Sequence, residues 1–118
     1  MMKAIIAGGR DFIPTQEHYE WLVSQLEEYS VDTVFSGGCR GADDFGAATA
    51  CSVGIEVVEY FAQWHKHGTK AGPIRNEAMA KHADICILFP GGRGTADMRK
   101  RALRHKLTVI DYGEVLNG

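Results

Sequence analysis

The sequence predicts an α/β fold, a single doubly wound, Rossmann-like, three-layer domain around a five-stranded parallel sheet, spanning residues 1–118. Three observations carry that prediction. Short apolar runs alternate with segments of helical periodicity along the chain, the order expected of a parallel sheet sandwiched between helices. One run, Ile85 to Phe89 (ICILF), is apolar at every position, as suits a strand covered on both faces. Three runs end in glycine pairs beside an arginine: Gly8-Gly9-Arg10, Gly37-Gly38-Cys39-Arg40-Gly41 and Gly91-Gly92-Arg93-Gly94.

Each element follows in order. Residues 3–7 (KAIIA) read as a strand stopped by Gly8-Gly9. From Thr15 to about Tyr29, apolar residues at Tyr19, Leu22, Leu26 and Tyr29 lie along one helical stripe. Residues 31–36 (VDTVFS) form the second strand. Residues 41–53 (GADDFGAATACSV) form a helix of small residues, with acids in its first turn where the helix dipole favours them. The third strand is expected over 55–61. The stretch 62–73 (AQWHKHGTKAGP) reads as irregular and long for a connection, which suits a lid. A helix from Ile74 to His82, the ICILF strand, a basic helix from Thr95 to Arg104 and a last strand over 107–112 complete the order. Right-handed crossovers then make the sheet doubly wound.

Composition narrows the function classes. A chain of 118 residues suits one compact domain, and 45% hydrophobic with 24% charged residues is the balance of an ordinary globular protein. A net charge of −2 carries no polyanion signature, so a nucleic-acid partner is not expected. The opening apolar run is too short for a secretory signal, and no segment approaches a membrane span. The expectation is a cytoplasmic protein with no membrane partner. Cys39, Cys51 and Cys86 are odd in number and include no CxxC, which argues against a disulfide framework or a zinc site. His65 and His67 lack a third ligand placed by the sequence, so no metal and no cofactor are expected.

In a parallel sheet every strand-to-helix loop lies at the same edge, and ligands bind there. Glycine lets a ligand approach the backbone, and the helix beyond offers free amides and a partial positive charge to an anion. Arginine grips phosphate with two parallel hydrogen bonds. A glycine pair alone also makes a plain turn; three at one edge argue for an anion site. The loop acids Asp11, Asp43, Asp44 and Asp97 would repel a bare polyphosphate, which favours a sugar phosphate or nucleotide. The candidate ligand residues of the first loop are Gly8, Gly9 and Arg10. Those of the second are Ser36, Gly37, Gly38, Arg40, Gly41 and Asp43. The third contributes Pro90, Gly91, Gly92, Gly94 and Thr95, where Thr95 fits a helix N-cap, a phosphate ligand or both. Arg75 and Asn76, at a predicted helix start on the same edge, complete the set. Asp97 fits either a first-turn acid or a ligand contact.

These motifs resemble the SLOG superfamily. PGGRGTADM (90–98) is similar to the PGGxGTxxE signature of the LOG phosphoribohydrolases, and SGGCRGADDFGAATA (36–50) to an element of the DNA-processing protein DprA/Smf. The run GGRDF, SGGxxGAD, W, HG, AGPxRNxxM, FPGGxGTADM resembles the small YspA/cpYpsA-related branch over nearly the whole chain. The resemblance implies a Rossmann-like fold and a small-molecule nucleotide or nucleotide derivative as partner. It also implies cleavage of a nucleoside 5′-monophosphate to free base and ribose 5-phosphate, with Arg75 matching the arginine tied to catalysis. Gly91, Gly92, Gly94 and Thr95 match the phosphate loop. The signature's glutamate is Met98 here, and a thioether neither activates water nor stabilises a cationic sugar. Asp97, one residue earlier, is with Arg75 the catalytic candidate that departure leaves, and Asp43 and Glu77 are the other acids within reach. The resemblance implies pairing into a homodimer through helices as well.

Three features stand beside these. Trp64 suits packing on a base or closing the loop over the core. Cys39 suits a reactive thiol or a small loop filler. Residues 99–106 (RKRALRHK) hold five Lys or Arg in eight positions without interleaved aromatics, which suits a solvated helix face better than nucleic-acid binding. Two readings follow, a hydrolase of N-glycosidic bonds or a nucleotide-binding module without turnover; single-stranded DNA binding is a third.

Overall fold

The computed structural model describes residues 1–117. The elements are β1 (Met2–Ala7), α1 (Gln16–Glu28), β2 (Val31–Ser36), α2 (Ala42–Ser52), β3 (Glu56–Glu59), α3 (Trp64–His67), a 3₁₀ turn (Gly68–Lys70), α4 (Ala71–His82), β4 (Ile85–Leu88), α5 (Arg93–Arg104), β5 (Thr108–Asp111) and α6 (Tyr112–Asn117). The sheet has five strands in the order β3-β2-β1-β4-β5, and every neighbouring pair is parallel. This is the doubly wound, Rossmann-like arrangement. No helix among the described residues is long and apolar enough to cross a membrane.

Strand alternation divides the core into two layers. Ala4 and Ile6 of β1, with Ile85, Ile87 and Phe89 of β4 and its end, pack against Leu22 and Leu26 of α1 and Ala42 and Ala50 of α2. Ile5 and Ala7, with Cys86 and Leu88, face Met79 and Ala80 of α4 and Met98 and Ala102 of α5. All four β4 residues are buried, as the unbroken apolar run requires. The same burial pushes the Cys86 thiol up to about 12, so it stays a neutral packing group.

The small residues of α2 bring its axis close to the sheet. A Cβ at Gly46 would lie 2.5 Å from Ile6 Cγ2 and 2.8 Å from Ile6 Cβ. Gly46→Ala therefore sets two effects against each other. Helix propensity favours alanine by ~1 kcal/mol, whereas overpacking a closed core costs about 1–3 kcal/mol. The expected result in a urea titration is a net loss of stability; a gain would show that the contact with Ile6 relaxes.

Four boundaries differ from the sequence reading. The third strand is only Glu56–Glu59, not 55–61. The stretch 62–73 is largely helical, because Pro73 falls in the first turn of α4, where a backbone N–H has no intrahelical acceptor to lose. Helix α5 starts at Arg93 rather than Thr95, with Gly92 as its N-cap, so Thr95 sits inside the first turn and is no cap. The last strand ends at Asp111, and a further helix, α6, follows. Buried Tyr112 begins it, stacked edge-on against Trp21 with ring centroids 4.9 Å apart.

Between β1 and β4 the chain order reverses. The loops after these two strands leave toward opposite faces of the sheet, and the crevice they open is where a doubly wound fold receives ligand.

Candidate functional site

The three glycine loops are tied to one another. Gly9 N–H donates to Pro90 O at 2.8 Å, and Gly9 O accepts from Ala42 N–H at 3.1 Å. The first loop is thus bonded to both of the others. Gly41 has φ +79°, and a Cβ there would collide with Gly9 O and lie 2.5 Å from Arg10 O. A Cβ at Gly91 would lie 2.7 Å from Gly9 N and clash with Thr95 Oγ1. These glycines are required because protein atoms fill the space a side chain would take. Gly92 and Gly94 are different: nothing lies within 4 Å of a Cβ at either, so the open approach for a ligand is at the start of α5.

At this edge lies a cavity of about 640 Å³, within the range that holds a nucleotide-sized molecule. Of the residues expected from sequence, it brings together Gly8, Gly9, Arg10, Asp43, Arg75, Asn76, Gly92, Gly94, Thr95 and Asp97. The first turn of α5 carries no side-chain cap, and the Arg93, Gly94 and Thr95 amides have no acceptor among the described residues. Such amides, at the positive end of a helix dipole, are available to an anion.

The remaining candidates fall outside the cavity lining. Arg40 is exposed and ion-paired with Asp11 at 3.2 Å on the outer surface, so it does not supply charge to the cavity in this conformation. Ser36 is buried under the second loop, where its Oγ accepts from Gly38 N–H at 3.2 Å and donates to Asp43 O at 3.5 Å. Gly38, Gly41, Pro90 and Gly91 shape the loops from behind. Gly37 acts through its carbonyl, which accepts from Arg75 Nη1 at 2.7 Å.

Arg75 and Asp43 meet across Gly37. A Cβ at Gly37 would lie 2.7 Å from both Arg75 Nη1 and Asp43 Oδ2, so only glycine leaves room for the two groups to approach. Asp43 is buried, with 6% of its surface exposed. Its Oδ2 accepts from Cys39 N–H at 3.4 Å, and its Oδ1 has no hydrogen-bond partner among the described residues. Burial pushes this carboxyl up to about 6, against the pull of the Cys39 amide and the nearby Arg75 charge. A group titrating there can accept or donate a proton near neutral pH.

Asp97 is in the opposite state. Arg101 Nε donates to its Oδ2 at 2.9 Å, and so does Asn76 Nδ2 at 2.9 Å. Burial raises its carboxyl, but these hydrogen bonds outweigh the effect and hold it below its ordinary range. It lines the cavity as a fixed anion rather than as an acid, and it lies past the first turn of α5, where the helix dipole has faded. Met98, at the position of the signature's glutamate, is buried and belongs to the core facing α4 and α5.

The sequence reading did not place Thr69, Gly72, Pro73, Met79 or Arg93 in the cavity wall. The first three come from the stretch read as irregular, whose helical turns fold over the crevice. Cys39 and Trp64 also line it, and Trp64 remains 48% exposed at its mouth. No group of three or more His, Cys, Asp or Glu among the described residues is arranged to hold a metal ion.

Comparison with known proteins supports the fold and gives a family. The chain is 33% identical over 124 aligned positions to the Gene 61 protein of Mycobacterium phage D29, across 97% of this chain and 98% of the phage protein. In the X-ray structure of TM1055, a structural-genomics target, the same fold recurs with a TM-score of 0.72 at 18% identity, over 92% of this chain and 72% of that one. No protein-family model matches the chain.

Proposed function

This chain belongs to the family of the Gene 61 protein of Mycobacterium phage D29, and from the chemistry of its cavity we propose that it binds a nucleoside 5′-monophosphate or a related nucleotide and hydrolyses its N-glycosidic bond. The observation that carries this reading is the pairing of an anion site with a carboxyl of raised pKa in one cavity. The free amides at the start of α5, with Arg10, Arg75 and Arg93, receive the phosphate. Asp43, mostly ionised above pH of about 6, takes a proton from water as the water oxygen bonds to C1′. The C1′–N bond breaks with its electron pair on the base; that nitrogen is protonated, balancing the proton Asp43 took from water, so the free base leaves and ribose 5-phosphate remains. The SLOG-type order of motifs and the likeness to the phosphate loop of the LOG phosphoribohydrolase signature support the nucleotide part of this assignment.

Trp64, half exposed beside Gly72 at the cavity mouth, is suited to stack on the base. Trp64→Ala is therefore expected to weaken a nucleoside monophosphate about 10-fold, since a stacked base contributes ~1–3 kcal/mol. The same variant should leave ribose 5-phosphate, which has no base, unchanged. Equal losses for both ligands, measured by calorimetry, would remove the base from Trp64.

A second reading, binding without turnover, is favoured by buried Met98 at the glutamate position. One experiment separates the two. The protein is unfolded thermally with nucleoside mono-, di- and triphosphates, cyclic nucleotides, ADP-ribose and NAD, and each mixture is then chromatographed. A ligand at 100 times its Kd should stabilise the fold by ~2.7 kcal/mol. Stabilisation with free base and ribose 5-phosphate in the mixture supports hydrolysis; stabilisation with intact ligand supports binding alone. No stabilisation at millimolar ligand would overturn both.

A further inference from the structure

We propose that Arg101 is a positioning residue for Arg75, acting through a continuous polar chain that runs between α4 and α5 from the surface to the cavity. The links are short and directional. His105 Nε2 lies 2.7 Å from Glu77 Oε2, and Glu77 Oε1 accepts from Arg101 Nη1 at 3.2 Å. Arg101 Nε donates to Asp97 Oδ2 at 2.9 Å, which also accepts from Asn76 Nδ2 at 2.9 Å. Asn76 Oδ1 then accepts from Arg75 Nε at 3.0 Å, and Arg75 Nη1 reaches Gly37 O at 2.7 Å. Arg75 and Arg101 are not hydrogen-bonded to each other.

The donor and acceptor identities transmit the constraint. An ionised carboxylate only accepts, so Asp97 at 2.9 Å, seconded by the longer contact to Gly94 O at 3.4 Å, selects the Nδ2 side of the Asn76 amide. Asn76 is 4% exposed, and its other side, Oδ1, is thereby aimed at Arg75 Nε, which only donates. A flipped amide would set N–H against N–H on one side and oxygen against carboxylate on the other. Arg101 keeps Asp97 charged and in place, while Glu77 holds the other arm of Arg101. The spacing makes this possible: Asp97 and Arg101 fall four apart on one stripe of α5, His105 follows at its C-cap, and Arg75, Asn76 and Glu77 face them from α4. The Arg75 guanidinium is thus held in the cavity before any ligand arrives, which removes an ordering cost from binding. Its consequence for phosphate binding rests on the function proposed above; the positioning itself does not.

The test reads the two separately. In the ligand-free protein, ¹⁵N–¹H spectra of the arginine Nε–H groups should show Arg75 slowly exchanging. Arg101→Met, which keeps the side-chain stem, should shift the Arg75 signal and speed its exchange, although the two residues do not touch. Glu77→Gln, a milder change that keeps the shape, should move it in the same direction by less. Arg101→Lys, which can reach one carboxylate but not both, should restore part of the protection. In the same variants the Kd for ribose 5-phosphate should rise about 10-fold with Arg101→Met and recover partly with Arg101→Lys. An Arg75 Nε–H signal unchanged in Arg101→Met and Glu77→Gln would overturn the proposal. If wild-type protein fails to bind ribose 5-phosphate while the Arg75 signal responds as expected, the positioning role stands and the functional reading falls.

Discussion

Asp43→Asn is expected to make the protein more stable at neutral pH while removing the proposed hydrolysis. Burial raises the Asp43 carboxyl from its ordinary 3.8 to about 6. Between those values the folded chain holds a proton that the unfolded chain has released. Stability therefore falls as pH rises from about 4 to about 6, and stays lowered above that window. A shift of roughly two units corresponds to about 3 kcal/mol of ionisation made unfavourable by folding. Asparagine has the shape of the neutral acid and never ionises, so it removes this cost. Urea titrations should show Asp43→Asn gaining up to about 3 kcal/mol at pH of about 7.5 and almost nothing at pH of about 4. In the wild type, kcat/KM should rise with pH through about 6, as the proton acceptor ionises. Loss of a general base lowers turnover by roughly 10²–10⁴-fold, so free-base release should nearly vanish in the variant. A variant that is no more stable at pH of about 7.5 than at pH of about 4, relative to wild type, would show that the Asp43 carboxylate is ionised at little cost.

Arg75→Ala is expected to weaken binding of ribose 5-phosphate by about 100-fold, or about 2.8 kcal/mol at ~1.4 kcal/mol per tenfold. A charge-assisted hydrogen bond contributes ~1.5–3 kcal/mol, and the planar guanidinium makes two in parallel to a phosphate. The loss reaches further than the ligand. Gly37 O would lose its donor, and Asp43 would lose the cation facing it, so the Asp43 carboxyl should titrate higher still. The pH profile of any residual turnover should move to higher pH. Arg75→Lys should not restore binding, because a single ammonium cannot hold Gly37 O, Asn76 Oδ1 and the ligand at once. Calorimetry with ribose 5-phosphate checks the affinity, and a loss below about 3-fold would take Arg75 out of the anion site.

Much of this molecule is legible in the residue order, for identifiable reasons. Ile85 to Leu88 reads as a buried strand because no polar side chain interrupts it, and that holds in the fold. The glycine pairs mark strand ends, and parallel pairing sends all three loops to one edge whatever their contacts. The segment 62–73 was illegible because its glycines and proline punctuate a local reading; only the first-turn position of Pro73 makes it compatible with a helix. The short helix after Asp111 was missed because its burial comes from Tyr112 docking on distant aromatic rings rather than from its own periodicity.

Local periodicity and chain connectivity dictate the order of strands and helices, the common edge of the glycine loops and the residue types gathered there. Which arginines face that edge depends on long-range packing, which turns Arg40 out to Asp11 and Arg75 in toward Gly37. It alone divided the carboxylates. Asp43 and Asp97 look alike in the sequence, but one is desolvated beside a single weak donor and the other is held by two strong ones. A carboxyl's proton affinity depends on its surrounding water, charges and donors, and residues far apart in the chain supply those.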